Sequence, residues 1–221
     1  MREFLFFDLD GVILNSMPYH AQAWILAFRE FGLEFNEEEI YLHEGAIELE
    51  SALNLFTAKG FYPTVEFFKQ AFELQKKIFK EKFANKVRPF PEIPEILEEL
   101  RKERRKLALV TSSSEEILQE VLSEKIRAYF HVVITGDRVS KRKPHPEPYL
   151  KAIELLRASK DNALVVENSP AGILSAKRAE LYCIGITTTL EPKHLNLADL
   201  IVKNHQELKK HLLNGQREQR I

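Results

Sequence analysis

The sequence predicts an α/β protein, with a parallel Rossmann-like sheet and a small all-helical segment inserted after the first strand. Two observations predict this fold. Short apolar runs rich in branched residues alternate with helical stripes over most of the chain, which is typical of parallel sheets covered by helices on both faces. One stretch, from about Ser16 to Lys86, has helical stripes only.

The first strand is predicted at Leu5–Phe7, and three apolar stripes in the insert predict three helices. Asn36 and Glu39 have the spacing of a capping box, which marks a helix start, and Gly32 and Gly60 end two of the stripes. We interpret the aromatic residues of these stripes mainly as core. The stripes are Trp24, Ala27, Phe28 and Phe31; Leu49, Leu53 and Phe56; and Phe68, Phe72, Phe79 and Phe83.

The remainder of the chain predicts the rest of the sheet. Further strands are expected at Leu107–Val110, Val132–Ile134, Ala163–Val166 and Cys183–Ile186. Between them, helical stripes are formed by Ile93, Ile96, Leu97 and Leu100; by Ile117, Leu118, Val121 and Leu122; and by Tyr149, Ile153 and Leu156. Ser169 followed by Pro170 predicts the N-cap and first residue of another helix.

These elements predict the domain boundaries. Residues 1–15 and 87–213 would form the α/β core, residues 16–86 the helical insert, and the polar residues 214–221 a flexible tail. The joints between the two parts are expected at Leu14–Pro18 and Ala84–Pro91.

The composition excludes several classes of function. The 32 Lys and Arg residues nearly cancel the 33 Asp and Glu residues, which argues against a nucleic-acid-binding protein. Cys183 is the single cysteine, so an internal disulfide framework is excluded and a reducing compartment is favoured. The chain has no run of about 18 apolar residues and no room for a signal peptide before residue 8. We therefore expect a cytoplasmic protein without a membrane partner, and a monomer.

Asp8 and Asp10 follow the first strand directly, and Gly11 comes next. In an open parallel sheet, ligands bind beyond the carboxyl ends of the strands, so both carboxylates would project into a binding site. Two close negative charges favour a divalent cation between them, and oxygen ligands favour Mg²⁺. Such a pair suits phosphoryl chemistry. The alternative is an ordinary turn that contains aspartate.

Thr111, Ser112, Ser113 and Ser114 follow the strand that ends at Val110. Hydroxyl and backbone N–H groups at a strand end form a cradle for an anion. Thr111 lies nearest the strand end and is the better phosphate ligand of the four. Ser114 is interpreted as the N-cap of the next helix.

Lys143 lies in a basic run directly before Pro144. Because proline restricts the residue before it to extended backbone, Lys143 is favoured over Lys141 and Arg142 as a phosphate ligand. The alternative is a solvated basic turn.

Glu167 and Asn168 end the strand that begins at Ala163. Carboxylate and amide oxygens could complete a magnesium site. The alternative is that Asn168 and Ser169 only cap the helix that follows.

Four separate strands would thus deliver a paired acid, a hydroxyl, a lysine and an acid–amide pair to one edge of the sheet. This order resembles the haloacid dehalogenase-like superfamily, in its branch of β-phosphoglucomutase, phosphoglycolate phosphatase and sugar-phosphate phosphatases. The resemblance covers Phe4 to about Leu213, and the helical insert is similar to the small cap of that superfamily. Further matching motifs are Tyr19–Trp24, Val110–Ser113, Thr135–Asp137 and Lys143–Tyr149.

The resemblance implies a Mg²⁺-dependent phosphatase that acts on a small phosphorylated metabolite. Asp8 would attack phosphorus and become an aspartyl phosphate, while Asp10 would protonate the leaving oxygen and then activate water. Thr111 and Lys143 would hold the phosphoryl oxygens. The implied ligands of Mg²⁺ are Asp8, the backbone carbonyl of Asp10, Glu167 and Asn168.

Two positions depart from the pattern of the superfamily. Asn168 stands where a second acid is usual, so we expect weaker binding of Mg²⁺. The insert loop around Gly45 carries Glu44 and Glu48 where the mutase has an arginine, which favours a phosphatase over the alternative, a β-phosphoglucomutase-type mutase. His20, also in the insert, either faces the site and steers the acid/base or lies on the solvent side of its helix.

Overall fold

A computed structural model describes residues 2–43 and 49–213 of the chain, with only the backbone described for residues 49–52. Gly45 and its loop, and the tail predicted at residues 214–221, lie outside the described residues.

The centre of the molecule is a six-stranded parallel sheet. The strands are β1 (Phe4–Phe7), β2 (Lys106–Val110), β3 (Val132–Ile134), β4 (Ala163–Glu167), β5 (Tyr182–Ile186) and β6 (Leu200–Val202). Their order across the sheet is β3-β2-β1-β4-β5-β6. The predicted α/β class and the first five strands are confirmed. The sixth strand was not predicted, because it is only three residues long and two of them are half-exposed at the sheet edge.

Between Met17 and Lys82, the described chain forms helices and no strand. They are α1 (Met17–Arg29), α2 (Glu37–Tyr41), α3 (Leu49–Thr57) and α4 (Val65–Lys82). The predicted capping box at Asn36 and Glu39 is present and starts α2. Most of the aromatic side chains of the insert form a separate core, in which Phe28, Phe56 and Phe67 pack mostly edge to face, whereas Phe79 and Phe83 pack into the core on one face of the sheet.

The helices of the sheet domain cover both faces of the sheet. Ser114 and Ser169 cap, through their side chains, the helices that begin at Glu115 and Pro170, as predicted. The helices are α5 (Ile93–Lys102), α6 (Glu115–Val121), α7 (Glu124–Arg127), α8 (Glu147–Leu156), α9 (Pro170–Arg178) and α10 (His205–Leu213). Short 3₁₀ turns lie at Ala84–Lys86, Lys160–Asn162 and Pro192–His194.

Strand β1 is buried on both faces. Leu5 and Phe7 pack into the core beneath one face of the sheet, and Phe6 packs into the core beneath the other. This alternation explains why the strand is a continuous apolar run. It also places the residue after the strand, Asp8, near the middle of the carboxyl edge of the sheet.

The segments that join the insert to the sheet lie side by side. Asn15 donates its N–H to the carbonyl of Arg88 at 2.9 Å, and Phe90 donates to the carbonyl of Ile13 at 3.1 Å. Helix α1 therefore begins close to the turn that carries Asp10. None of the helices in the described part of the chain has the length and apolar character needed to cross a bilayer.

Candidate active site

Three neighbouring strands, β2, β1 and β4, bring polar residues to the carboxyl edge of the sheet. Asp8 follows β1 and donates its N–H to the carbonyl of Val166 at 3.0 Å. Thr111 follows β2 and donates its backbone N–H to the carbonyl of Ile134 at 2.9 Å. Glu167 is the last residue of β4. The edge of the sheet therefore holds polar groups where the strands give way to loops.

Lys143 is buried between two acids. Its ammonium donates to Asp8 Oδ1 at 2.6 Å, to Glu167 Oε1 at 2.7 Å and to the carbonyl of Val110 at 2.9 Å, and the side chain is 3% exposed. Lys141, by contrast, is exposed, and Arg142 donates to the carbonyl of Gly136 at 3.3 Å. Of the three residues in the basic run, Lys143 is the one brought to Asp8. It reaches the site from the loop between β3 and α8, and not from the end of a strand as the sequence predicted.

The charges around Lys143 depend on one another. Burial alone would lower the pKa of Lys143, but the charges of Asp8 and Glu167 and the hydrogen bonds to them raise it above its usual value. Burial raises the pKa of Asp8 well above its usual value, Glu167 and Asp10 add to that shift, and only the charge of Lys143 and its hydrogen bond oppose it. Positive charge is therefore what favours the ionised form of Asp8, against burial and the neighbouring acids.

Glu167 is fully buried, and both of its carboxylate oxygens have partners. Oε1 accepts from Lys143 and from the Tyr149 hydroxyl at 2.7 Å, and Oε2 accepts from the backbone N–H of Asn168 at 3.1 Å. A Cβ on Gly172 would overlap this carboxylate, so glycine at that position leaves room for it. The geometry favours a role for Glu167 in holding Lys143, beyond the ligand role that the sequence predicts.

Asp10 is nearly buried and accepts four hydrogen bonds from side chains. Oδ1 accepts from Ser16 at 2.5 Å and contacts His20 Nε2 at 3.2 Å, while Oδ2 accepts from Ser113 at 2.9 Å and from Thr111 at 3.5 Å. Burial alone would raise the pKa of Asp10, but the charge of His20 and the hydrogen bonds from His20, Ser16 and Ser113 lower it to about 2. The surroundings therefore favour the base form of Asp10.

His20 faces the site from the helical insert. Its ring stacks on Phe79 with a centroid distance of 4.0 Å, and Gln75 lies 3.4 Å from its Nδ1 atom. The sequence left open whether His20 faces the site or the solvent, and the structure places it in the interior, next to Asp10. Sequence reasoning missed Ser16 and Gln75, because a hydroxyl in a joint and a glutamine in a charged helix carry no distinctive pattern.

The hydroxyl residues in the loop after β2 differ in burial and in hydrogen-bond partners. Thr111 is buried, and its Oγ1 accepts from the backbone N–H of Ser113 at 3.0 Å. Ser112 lies half-buried in the same loop. Ser113, which the sequence analysis did not single out, contacts Asp10 more closely than Thr111 does.

Asn168 is 1% exposed and lies against Gly11, whose φ of +85° is one that residues with side chains rarely adopt. A Cβ on Gly11 would overlap the Asn168 amide nitrogen. That nitrogen donates to the Thr189 hydroxyl at 3.2 Å. Residues 11 and 168 thus fit together only because one of them is a glycine.

The predicted ligands at this edge all offer oxygen atoms, which is the type of donor that fits Mg²⁺. Among the described residues, no group of three or more His, Cys, Asp and Glu side chains is arranged to hold a metal, so a site here would also need a backbone carbonyl and an amide oxygen. Three of the predicted ligands would hold a cation here through the carboxylate of Asp8, the backbone carbonyl of Asp10 and the amide oxygen of Asn168, with water or substrate oxygens in the remaining positions. Mg²⁺ commonly binds in this way, through one or two carboxylates and substrate phosphates. The carboxylate of the fourth predicted ligand, Glu167, is bonded to Lys143, Tyr149 and the N–H of Asn168, so its role as a ligand stays a prediction.

Residues 5–186 match the family described as haloacid dehalogenase-like hydrolase. A phosphorylated carbohydrates phosphatase of Thermotoga maritima is 31% identical over 80% of this chain and 81% of its own length. The β-phosphoglucomutase of Bacillus subtilis is 28% identical over 96% of this chain and 94% of its own.

A solved structure of a hydrolase from Pseudomonas syringae superimposes on this chain with a TM-score of 0.83. The two sequences are 23% identical, and the superposition covers 96% of this chain and 98% of the chain from Pseudomonas syringae. At that identity the likeness concerns the fold, and it confirms the predicted architecture.

Proposed function

The chain belongs to the haloacid dehalogenase-like hydrolase family, as its sequence predicted, and from this premise we propose that it is a phosphoric monoester hydrolase. Its substrate would be a small phosphomonoester of the sugar-phosphate or phosphoglycolate class, hydrolysed through an aspartyl phosphate. The observation that carries the proposal is Asp8, a carboxylate at the carboxyl edge of the sheet that is held 2.6 Å from the ammonium of buried Lys143. Relatives that carry the names of phosphatases support it.

In the first step, an oxygen of Asp8 attacks phosphorus and the bond from phosphorus to the leaving oxygen breaks. The leaving oxygen takes a proton from Asp10. Because Asp10 Oδ1 lies 3.2 Å from His20 Nε2, this pair can hold the proton that the step needs.

In the second step, Asp10 accepts a proton from water, and the water oxygen attacks phosphorus. The bond between phosphorus and Asp8 breaks, so phosphate leaves and the Asp8 carboxylate is restored. Lys143 and the hydroxyl of Thr111 would offset and position the charge of the phosphoryl oxygens. A bound Mg²⁺ would supply further positive charge to Asp8 and to the phosphoryl group.

A screen for phosphate release tests the proposal. The purified protein would be incubated with a panel of sugar phosphates, phosphoglycolate and other small phosphomonoesters, with Mg²⁺ and with a chelator. We expect release from at least one class of these substrates, and only with Mg²⁺. Release that continues unchanged in the chelator would contradict the metal requirement, and no release from any compound would contradict the substrate class.

The alternative is a mutase, which the similarity to a β-phosphoglucomutase keeps open. A mutase returns the phosphoryl group to a sugar phosphate, so its product is an isomer instead of free phosphate. Incubation of a hexose phosphate with and without a sugar bisphosphate separates the two. We expect free phosphate in both reactions, whereas isomer formed only in the presence of the bisphosphate would favour the mutase.

Replacing Asn168 by aspartate should strengthen the binding of Mg²⁺. Asn168→Asp adds a negative charge to the proposed magnesium site, and an oxygen ligand with a full charge attracts a hard cation more strongly. We expect the Mg²⁺ concentration for half-maximal activity to fall by about tenfold, in line with changes at metal sites. An unchanged half-saturating concentration would contradict this role, and Asn162→Asp, in the 3₁₀ turn before β4, is the matched control.

Removing His20 should slow turnover without affecting the metal. His20→Ala deletes one of the two partners of Asp10 Oδ1, and a positioned proton-transfer group contributes on the order of 10²-fold to a rate. Because Ser16 and Ser113 still hold Asp10, we expect kcat to fall by about 10- to 100-fold. The half-saturating Mg²⁺ concentration should stay the same. A kcat equal to that of the unaltered protein would show that His20 only packs against Phe79.

A further inference from the structure

We infer that Thr189 is a positioning residue, which holds the amide of Asn168 so that its oxygen faces the bound cation. The inference rests on the proposed function, because it concerns the same magnesium site. It assigns a role to a residue in the loop after β5, outside the motifs that the sequence analysis singled out.

The contacts of Asn168 are few and specific. Its Nδ2 atom donates to Thr189 Oγ1 at 3.2 Å. Within residues 2–43 and 49–213, the Asn168 side chain makes no other hydrogen bond. With its nitrogen taken by Thr189 and packed against Gly11, the oxygen is the end of the amide that is left for a cation.

The orientation matters because an amide is not symmetrical. Asparagine has one oxygen that can bind a cation and one NH₂ group that repels it, whereas either oxygen of an aspartate can serve. If the amide turned over, its N–H groups would point at the cation and the site would lose a ligand. An acceptor for the NH₂ group is therefore needed wherever asparagine takes the place of the acid. Partners of this kind, which orient a ligand from behind, strongly affect metal affinity.

Thr189 is held in a fixed place relative to the site. Its neighbour Thr188 donates its hydroxyl to the carbonyl of Gly11 at 2.6 Å, and Leu190 is buried in the core beneath the sheet. The loop after β5 is thus tied to the turn that carries Asp10. Thr188 therefore bonds to Gly11 and Thr189 bonds to Asn168, the two residues that pack against each other.

Thr189→Val, which keeps the shape of the side chain and removes the acceptor, tests the inference. Binding of Mg²⁺ would be measured by calorimetry, and binding of Mn²⁺ by electron paramagnetic resonance, both without substrate. We expect Thr189→Val to weaken the binding of both ions by about tenfold, the lower end of effects at such positions. Thr189→Ser, which keeps the hydroxyl, should restore binding to within about twofold of the unaltered protein.

Two comparisons separate positioning from a structural effect. Thr187→Val is the matched control, because the Thr187 hydroxyl lies near the carbonyls of Val202 and Lys203, away from the metal ligands; its metal binding should be unchanged. In an Asn168→Asp background, Thr189→Val should cost less affinity, since a carboxylate has no NH₂ group to orient.

The inference is overturned if Thr189→Val binds both ions as the unaltered protein does, or if it loses as much affinity in the Asn168→Asp background as in the Asn168 protein. Failure of the proposed function would show instead in the unaltered protein, as an absence of Mg²⁺-dependent phosphate release. Melting temperatures of all variants would be measured alongside. If Thr189→Val were unfolded, Thr189→Ala would take its place: a loss of metal affinity of about tenfold that Thr189→Ser does not show supports the inference, and equal affinity of the two variants overturns it.

Discussion

Asp8→Asn abolishes phosphate release while leaving the protein folded; this is the largest effect that we expect on activity. The amide of asparagine is a poor nucleophile, so the covalent step fails, and loss of a nucleophile typically lowers kcat on the order of 10⁴-fold or more. The fold should survive, because Lys143 keeps its bonds to Glu167 and to the carbonyl of Val110. Phosphate release and thermal melting, measured on the same sample, check both halves of the prediction.

Asp161→Asn is the matched control for Asp8→Asn. Asp161 lies in the 3₁₀ turn before β4, at the opposite end of the strand from Glu167, and it is exposed. We expect this control to retain full activity. Unchanged phosphate release by Asp8→Asn would refute the proposed mechanism as a whole.

Lys143→Met should cost both stability and activity, and its effect on stability is the largest that we expect. The substitution leaves Asp8 and Glu167 close together and buried, without the positive charge between them. Removing one partner from a buried ion pair typically destabilises a protein by about 3–5 kcal/mol, because the remaining charge is uncompensated. Urea denaturation would measure the change in the free energy of unfolding.

Two further variants make the reason for that loss testable. Lys141→Met changes the same residue type at an exposed position two residues earlier, and should alter the free energy of unfolding by less than about 0.5 kcal/mol. Adding Glu167→Gln to Lys143→Met removes one of the two uncompensated carboxylates, so the double variant should be more stable than Lys143→Met alone. If it is less stable, repulsion between the buried acids does not explain the loss.

The residues at the strand ends could be predicted because parallel strands share one carboxyl edge. Asp8 and Glu167 lie in or next to apolar strands that the sequence marks clearly, and β1 and β4 are neighbours in the sheet. Lys143 was harder to predict, since it comes from a loop and not from a strand end. Only the restriction by Pro144 distinguished it from the rest of its basic run.

The contacts that surround those residues could not be predicted. Tyr149 reads as one member of an apolar stripe on α8, yet its hydroxyl bonds to Glu167 at 2.7 Å. Ser113 and Ser16 bond to Asp10 from a loop and a joint, where hydroxyl residues are common and carry no periodic signal. Such contacts depend on how the helical insert packs on the sheet, which is a tertiary property. The short strand β6 was missed for a similar reason, because its pairing with β5 identifies it better than its sequence does.

Trapping of the covalent intermediate tests the central claim most directly. The protein would be mixed with Mg²⁺ and the best substrate from the screen, quenched in acid within the first turnover, digested at low pH and analysed by mass spectrometry. We predict one added phosphoryl group on the peptide that contains Asp8, and none in the Asp8→Asn variant. Steady release of phosphate without any phosphorylated Asp8, or a phosphoryl group on another residue, would contradict the account.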